Sequence, residues 1–277
     1  MDIFFDKETC KSALIKFLGF PISGSDEIFS EFSVLEGAKY VKGKKPNQRY
    51  LFIPGKKKNR VLLVAHTDTV WDGQYIKKSV SSDLKIVDDK IISASETAGI
   101  GADDRAGCAA LWLLRESGHS LLLIDGEENS HIGASFIYHD KKMMKIINEH
   151  CFVLSFDLWG RDEYMFHAVS NPKAFEDFVS SFGYKKSPLS GGSDIFYICR
   201  KAAGVNVSIG YKNEHKPSEQ ISINSFYECV NRASRMLRET YRHFKTPVPV
   251  RVYKFIKHKI ALLIKPTMKS LKARRKK

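Results

Sequence analysis

Four short strand-like runs each end against a histidine, an acid, or a loop that carries one. Residues 61–65 (VLLVA) run into His66, and 120–124 (SLLLI) stop just before Glu127 and Glu128. Residues 151–156 (CFVLSF) run into Asp157, and 204–209 (GVNVSI) lead through "GYKNE" to His215. Runs this short suit strands buried on both faces better than they suit helices. Residues 49–53 (RYLFI) read as a further strand, joined to 61–65 by the basic turn "PGKKKN". Helical spacing fills the intervals. It is predicted for 7–19, stopping at Gly19, and for Asp104 to Glu116, where Ala106, Ala109, Ala110, Leu113 and Leu114 share a face and Gly118 ends the run. It is also predicted for 134–147, 172–183 and 226–244. The last has Ser225 and Glu228 spaced as a capping box and a stripe of Phe226, Val230, Ala233, Leu237 and Tyr241. Strands alternating with helices imply a layered α/β fold around an at least partly parallel sheet. In such folds ligands gather beyond the carboxyl ends of the strands, which is where these polar residues fall.

A chain of 277 residues can fill one α/β core or two small domains. No stretch approaches the roughly 18 apolar residues of a membrane span. The N-terminus, MDIFFDKETCKSALIKF, lacks the basic-then-apolar order of a secretory signal. The five scattered cysteines, Cys10, Cys108, Cys151, Cys199 and Cys229, include no C-x-x-C and read as reduced thiols of a cytoplasmic protein. The net charge of +14 is uneven: residues 251–277 hold eleven Lys and Arg and no acid, which leaves 34 basic against 31 acidic residues, or +3, in the remainder. The chain is therefore expected to divide into a nearly neutral body, 1–248, and a basic amphipathic tail, 249–277. In the tail Val252, Ile256, Ile260 and Leu263 have helical spacing among lysines, and Pro266 closes the segment. Three roles fit such a tail: a final helix packed on the body with a solvated end, a segment lying on an anionic membrane surface, or a contact to nucleic acid.

Taken singly, the polar residues at the strand ends are ordinary. His66 and Asp68 form an H-x-D triplet of a kind that arises by chance, and two adjacent glutamates usually mark a solvated turn. Asp103 and Asp104 would serve as a helix N-cap, Asp157 as a turn residue before Gly160, and His215 as a loop histidine. Their joint placement favours a metal centre. Two histidines with several carboxylates suit zinc or a similar divalent ion. Five candidate ligands exceed what one catalytic zinc takes and fit two ions sharing a carboxylate. A metal pair also gives adjacent glutamates separate tasks, one as ligand and one as proton acceptor. His131 and His167 lie close to these motifs and are expected in core or surface roles.

The ordered set "AHTDTV", "GIGADDRAG", "DGEENSHIGA", "SFDLWGRD", "GGSD" and "NVSIGYKNEH" resembles the co-catalytic zinc aminopeptidase superfamily over roughly residues 60–245. That superfamily includes peptidase T-like tripeptidases, leucyl-type and tetrahedral aminopeptidases, and acetylornithine deacetylase-like enzymes. The resemblance implies a three-layer α/β/α single domain with a central mixed, largely parallel sheet, and two zinc ions, with cobalt or manganese as substitutes. It implies that His66 and Asp157 hold the first metal, Glu128 and His215 the second, and Asp103 bridges them. It further implies that Asp68 orients His66 and that Glu127 is the general base. An aspartate at 157 and the "GADDRAG" stretch lean toward aminopeptidases, with short peptides as substrates. N-acyl amino acid hydrolysis or a carboxypeptidase step on the same site is the nearest alternative. A docking protein that keeps the fold and works through the tail is the non-enzymatic one. Only 36 residues separate Asp157 from Asp194 of "GGSD", too few for the lid domain of many relatives, so a compact and monomeric enzyme is expected.

Overall fold

The computed structural model describes residues 4–72, 84–189, 191–239 and 242–247. The basic tail and Tyr241 lie outside them. In chain order the strands are β1 (Lys39–Lys42), β2 (Arg49–Ile53), β3 (Leu62–His66), β4 (Leu84–Val87), β5 (Lys90–Ser93), β6 (Ser120–Ile124), β7 (Phe152–Leu158), β8 (Glu163–Met165), β9 (Lys185–Lys186), β10 (Ala203–Ser208), β11 (Tyr211–Lys212) and β12 (Gln220–Ser222). The helices are α1 (Lys7–Leu18), α2 (Asp26–Ser33), α3 (Ala102–Leu113), α4 (Ile132–His139), α5 (Lys141–Asn148), α6 (Lys173–Ser181), α7 (Ile195–Ile198) and α8 (Ile223–Arg238).

The main sheet runs β1-β2-β6-β3-β7-β10-β8-β9. Its centre, β6-β3-β7-β10, is parallel; β2 and β8 flank it antiparallel. Alternating residues feed two separate cores. Leu63, Ala65, Leu121, Leu123, Leu154 and Phe156 point into one core, which also takes Leu14 of α1, Ala109 of α3 and Phe226 of α8. Leu62, Val64, Leu122, Ile124 and Val153 point the other way, toward Ala134 of α4, Ile147 of α5 and Ile195 of α7. Burial on both faces explains why these strands read as unbroken apolar runs rather than alternating ones. The layering is α/β/α, as expected. At roughly 25 cal/mol per Å² of apolar surface, these two cores are the main force holding the sheet between its helices.

A second sheet, β11-β12-β5-β4, is antiparallel throughout. Its strands β4 and β5 are mostly exposed or half-exposed and carry no clean periodicity, so they escape sequence reading. Two helix expectations change. The span 134–147 is two helices broken at Asp140, whose extended backbone and side chain cap α5 by accepting the N–H groups of Lys142 and Met143, each at 2.9 Å. The last helix starts earlier than 226 and ends at Arg238. Its cap is Ser222, whose Oγ accepts Ser225 N–H at 3.0 Å, and Glu228 pairs instead with Arg161 at 3.3 Å. Gly118 does end its helical run, at φ +75°, where a side chain would be strained.

All five cysteines are buried, and no disulfide joins any of them. Among the described residues no helix is long and apolar enough to cross a membrane. Residues 242–247 run beside the starts of β7 and β10, with Phe244 N–H on the Cys151 carbonyl and Thr246 N–H on that of Lys201. These last described residues thus lie at the end of the sheet opposite His66 and Asp157.

Candidate active site

The carboxyl ends of β3, β6 and β7 supply the cluster. His66 is the last residue of β3, Asp157 lies near the end of β7, and Glu127 and Glu128 follow β6. Asp103 opens α3 with non-helical dihedrals, behind a cis peptide to Asp104. His215 sits between β11 and β12 at φ +63°. A positive φ at a non-glycine residue is uncommon and clusters at functional sites.

Asp103 stands between the two histidines. Its Oδ1 is 2.9 Å from His66 Nε2, and its Oδ2 is 3.1 Å from His215 Nε2. Asp157 Oδ1 lies 3.5 Å from His66 Nε2, and Glu128 Oε1 lies 2.9 Å from His215 Nε2. His66 and Asp157 therefore group on one side of Asp103, and His215 and Glu128 on the other. Candidate ligand atoms of His66, Asp103 and Glu128 all fall within 4.8 Å of one another, as do those of His66, Asp104 and Asp157. Asp104 nonetheless has both oxygens engaged: it accepts the N–H of His66 at 3.1 Å and of Gly107 at 2.9 Å. A Cβ at Gly107 would overlap that carboxylate, so only glycine fits there. Asp104 braces the backbone, and Asp103 is left to face the cleft.

The donor set fits divalent cations. His66 Nδ1 donates to the Asp68 carbonyl at 3.1 Å, which turns Nε2 toward the acids. Burial opposes a charge on His66, but Asp103, Asp157 and Asp68 outweigh it and raise its pKa well above the usual histidine value. His215 is lifted to about 11 by Asp103 and Glu128. Burial also pushes Asp103 up, yet the two imidazoles hold it below the ordinary carboxylate range. Burial raises Asp104 and Glu128, and lifts Glu127 to about 8. Buried acids at this density need compensating cations, which a divalent metal would supply.

Asp68 does more than the resemblance implies. Its carboxylate is 3.4 Å from His66 Nδ1, farther than its own carbonyl. It accepts three backbone N–H groups: Gly126 at 2.8 Å, and Glu127 and Glu128 at 3.1 Å each. One buried acid thus shapes the whole "GEE" turn.

Several members of the site escape sequence reasoning. Glu219, four residues past His215 in the same loop, accepts Gly101 N–H at 2.7 Å and Asp103 N–H at 3.1 Å. Asn206 of β10 holds Asp157, accepting its N–H at 2.8 Å and donating to its Oδ2 at 3.3 Å. His167, expected as core or surface, touches Asn206 at 3.1 Å and donates to the Gly191 carbonyl at 3.0 Å. His131 lies against Glu127 and Asp194. Its four-residue offset from Glu127 and the "GGSD" motif were the only signals.

No protein-family model and no curated protein matches this sequence. Solved structures do match its architecture. Aminopeptidase PepT from Bacillus cereus ATCC 10987 aligns at 14% identity with a TM-score of 0.62, over 86% of this chain and 99% of that one. A tripeptidase from Staphylococcus aureus aligns at 11% identity and a TM-score of 0.62, over 85% and 98% respectively. The fold is that of the aminopeptidases. A glutaminyl cyclase from an Acidobacteriales bacterium also aligns, at 15% identity and a TM-score of 0.58, over 85% of this chain and 94% of the other. The same fold therefore carries different reactions, and the chemistry has to be argued from the site.

Proposed function

We propose that this chain is a hydrolase of short peptides, an aminopeptidase with two divalent metals. Zinc suits the histidine and carboxylate donors, and cobalt or manganese would substitute. The observation that carries the reading is Asp103, with one oxygen toward each histidine and a further carboxylate beyond each. His66, Asp103 and Asp157 would hold one ion, and His215, Glu128 and Asp103 the other. Ions so held would polarise the scissile carbonyl and activate a water.

The protein's own groups do the rest. Glu127 is next to Glu128 in sequence but contacts neither metal histidine within hydrogen-bond distance. Burial raises its proton affinity toward the neutral range, which suits a group that, once ionised, takes a proton from water and returns it to the leaving nitrogen. Asp68 holds the turn that carries both glutamates. The surrounding acids favour a cationic end on the substrate. Among the described residues no Lys or Arg contacts the cluster, so a free α-amine is welcomed and a substrate carboxylate has no partner. That weighs against the N-acyl amino acid and carboxypeptidase alternatives. The complete set of ligands and base weighs against a purely docking role.

Incubation with a short peptide and with its N-acetylated form tests the proposal. The expected result is chelator-sensitive release of the N-terminal residue from the free peptide alone. Preferential cleavage of the acetylated substrate would move the assignment to the deacylases, and absence of turnover with metal bound would remove the enzyme reading.

A further inference from the structure

His131 enters neither metal set, yet it is held with unusual care beside the proposed base. It follows Ser130, and both have positive φ, +56° for His131 and +58° for Ser130, just before α4. This conformation swings the imidazole back over the turn that carries Glu127. Nδ1 lies 3.1 Å from Glu127 Oε1 and 3.2 Å from Asp194 Oδ1. The Tyr197 ring flanks it, with centroids 5.4 Å apart. Gly192 closes the other side, where a Cβ would sit 2.6 Å from Nε2. Asp194 is itself buried, and its neighbour Ser193 reaches Asp157 Oδ2 at 3.4 Å. The "GGSD" loop therefore touches Asp157 through Ser193 and the base through Asp194 and His131.

We propose that His131 is a positioning residue for the proton-carrying glutamate, with its Nδ1–H shared between Asp194 Oδ1, its hydrogen-bond acceptor, and Glu127 Oε1, its ion-pair partner, and Glu127 Oε2 left as the atom that exchanges protons with water. Among the described residues Oε2 makes no hydrogen bond or ion pair. A carboxylate free to rotate would present either oxygen at varying distance, and misplacement by about 1 Å can lower a rate by about a hundredfold. Gly192 is required because any side chain there would displace the imidazole. The inference rests on Glu127 being the base. The charged groups facing the pair are Asp194, Asp157 and His66 on the Glu127 side, and His167 on the His131 side.

Three variants of the full, metal-loaded chain test it. His131→Leu removes the donor. His131→Asn keeps an uncharged N–H near the Nδ1 position. Asp194→Asn loosens the imidazole. His131→Leu should lower kcat roughly 10- to 100-fold with KM and metal content near wild type. Its acid limb in kcat/KM should move to higher pH, because Glu127 loses the cation that favours its ionised form. His131→Asn should restore most of kcat but keep the displaced limb, and Asp194→Asn should fall between. Wild-type kcat and an unmoved limb in His131→Leu would overturn the inference. Nuclear magnetic resonance of the His131 imidazole in metal-free protein gives a readout independent of turnover. His131 should stay protonated above the ordinary histidine range and drop toward it in Glu127→Gln and in Asp194→Asn. An identical titration in all three proteins would overturn the contact itself. Loss of peptide hydrolysis in wild type, with the resonance behaving as expected, would instead fault the assigned reaction.

Discussion

Asp68→Ala should destabilise the metal-free chain by about 4 kcal/mol. The carboxylate is fully buried and accepts three backbone N–H groups at 2.8, 3.1 and 3.1 Å. A hydrogen bond to a charged acceptor contributes about 1.5–3 kcal/mol, and three bonds sharing one carboxylate add incompletely. For a domain of this size 4 kcal/mol is roughly an 8 °C fall in Tm. Asp68→Asn discriminates further. Its oxygen can keep Gly126 and Glu127, but its NH2 then meets the N–H of Glu128, donor against donor. The stability cost drops to about 2 kcal/mol and concentrates at the residue proposed to hold the second metal. Zinc affinity at that position should fall about 10- to 100-fold, the usual consequence of disturbing a group that orients a ligand. Circular-dichroism melting of the metal-free variants, with zinc titration against a chromophoric chelator, measures both quantities. If Asp68→Asn melts with wild type and binds two zinc ions as tightly, Asp68 does not shape the glutamate turn.

Glu127→Gln should lower kcat by about a thousandfold, within the range for loss of a general base, while metal content and Tm stay near wild type; activity within a few-fold of wild type would reassign the base. Metal-free stability should fall as pH rises. Glu127 is lifted by burial from 4.5 to about 8, and His215 by Asp103 and Glu128 from 6.5 to about 11, so the folded chain keeps protons that the unfolded chain releases. Their contributions are complete below pH 4.5 and 6.5 respectively and disappear as pH climbs through the folded values. Metal needs its ligand His215 deprotonated, so the zinc-induced rise in Tm should be larger at pH 8 than at pH 6, and calorimetry showing the reverse would contradict the charge assignment. The chain without residues 249–277 should hydrolyse peptide at the full-length rate while losing salt-sensitive binding to anionic vesicles or DNA; pull-downs that are indifferent to salt or to the deletion would favour a tail packed on the body.

The sheet was legible because its strands are covered on both faces, so VLLVA, SLLLI and CFVLSF stand out as apolar runs. The cluster at their ends was legible because strand ends in such a fold converge on one edge. The small second sheet was not: LKIV and KIIS are mostly exposed or half-exposed, and although they pair with each other locally, the sheet is extended by β12 from more than a hundred residues away. The break at Asp140 lay hidden because residues 134–147 also satisfy continuous helical spacing, and only the cap bonds separate the two readings. The supports of the site were least visible. Asp194 meets His131 across 63 positions, Asn206 meets Asp157 across 49, and Glu219 meets Asp103 across 116. No local pattern encodes such contacts; the folding of the loops over the sheet edge creates them.

The central claim is that Asp103 joins two metal positions. Metal analysis of the wild-type chain and of Asp103→Ala, each loaded with zinc and freed of excess by gel filtration, tests it most directly. The account predicts two zinc ions per wild-type chain and loss of both in the variant. One zinc in wild type, or two retained without Asp103, would contradict it.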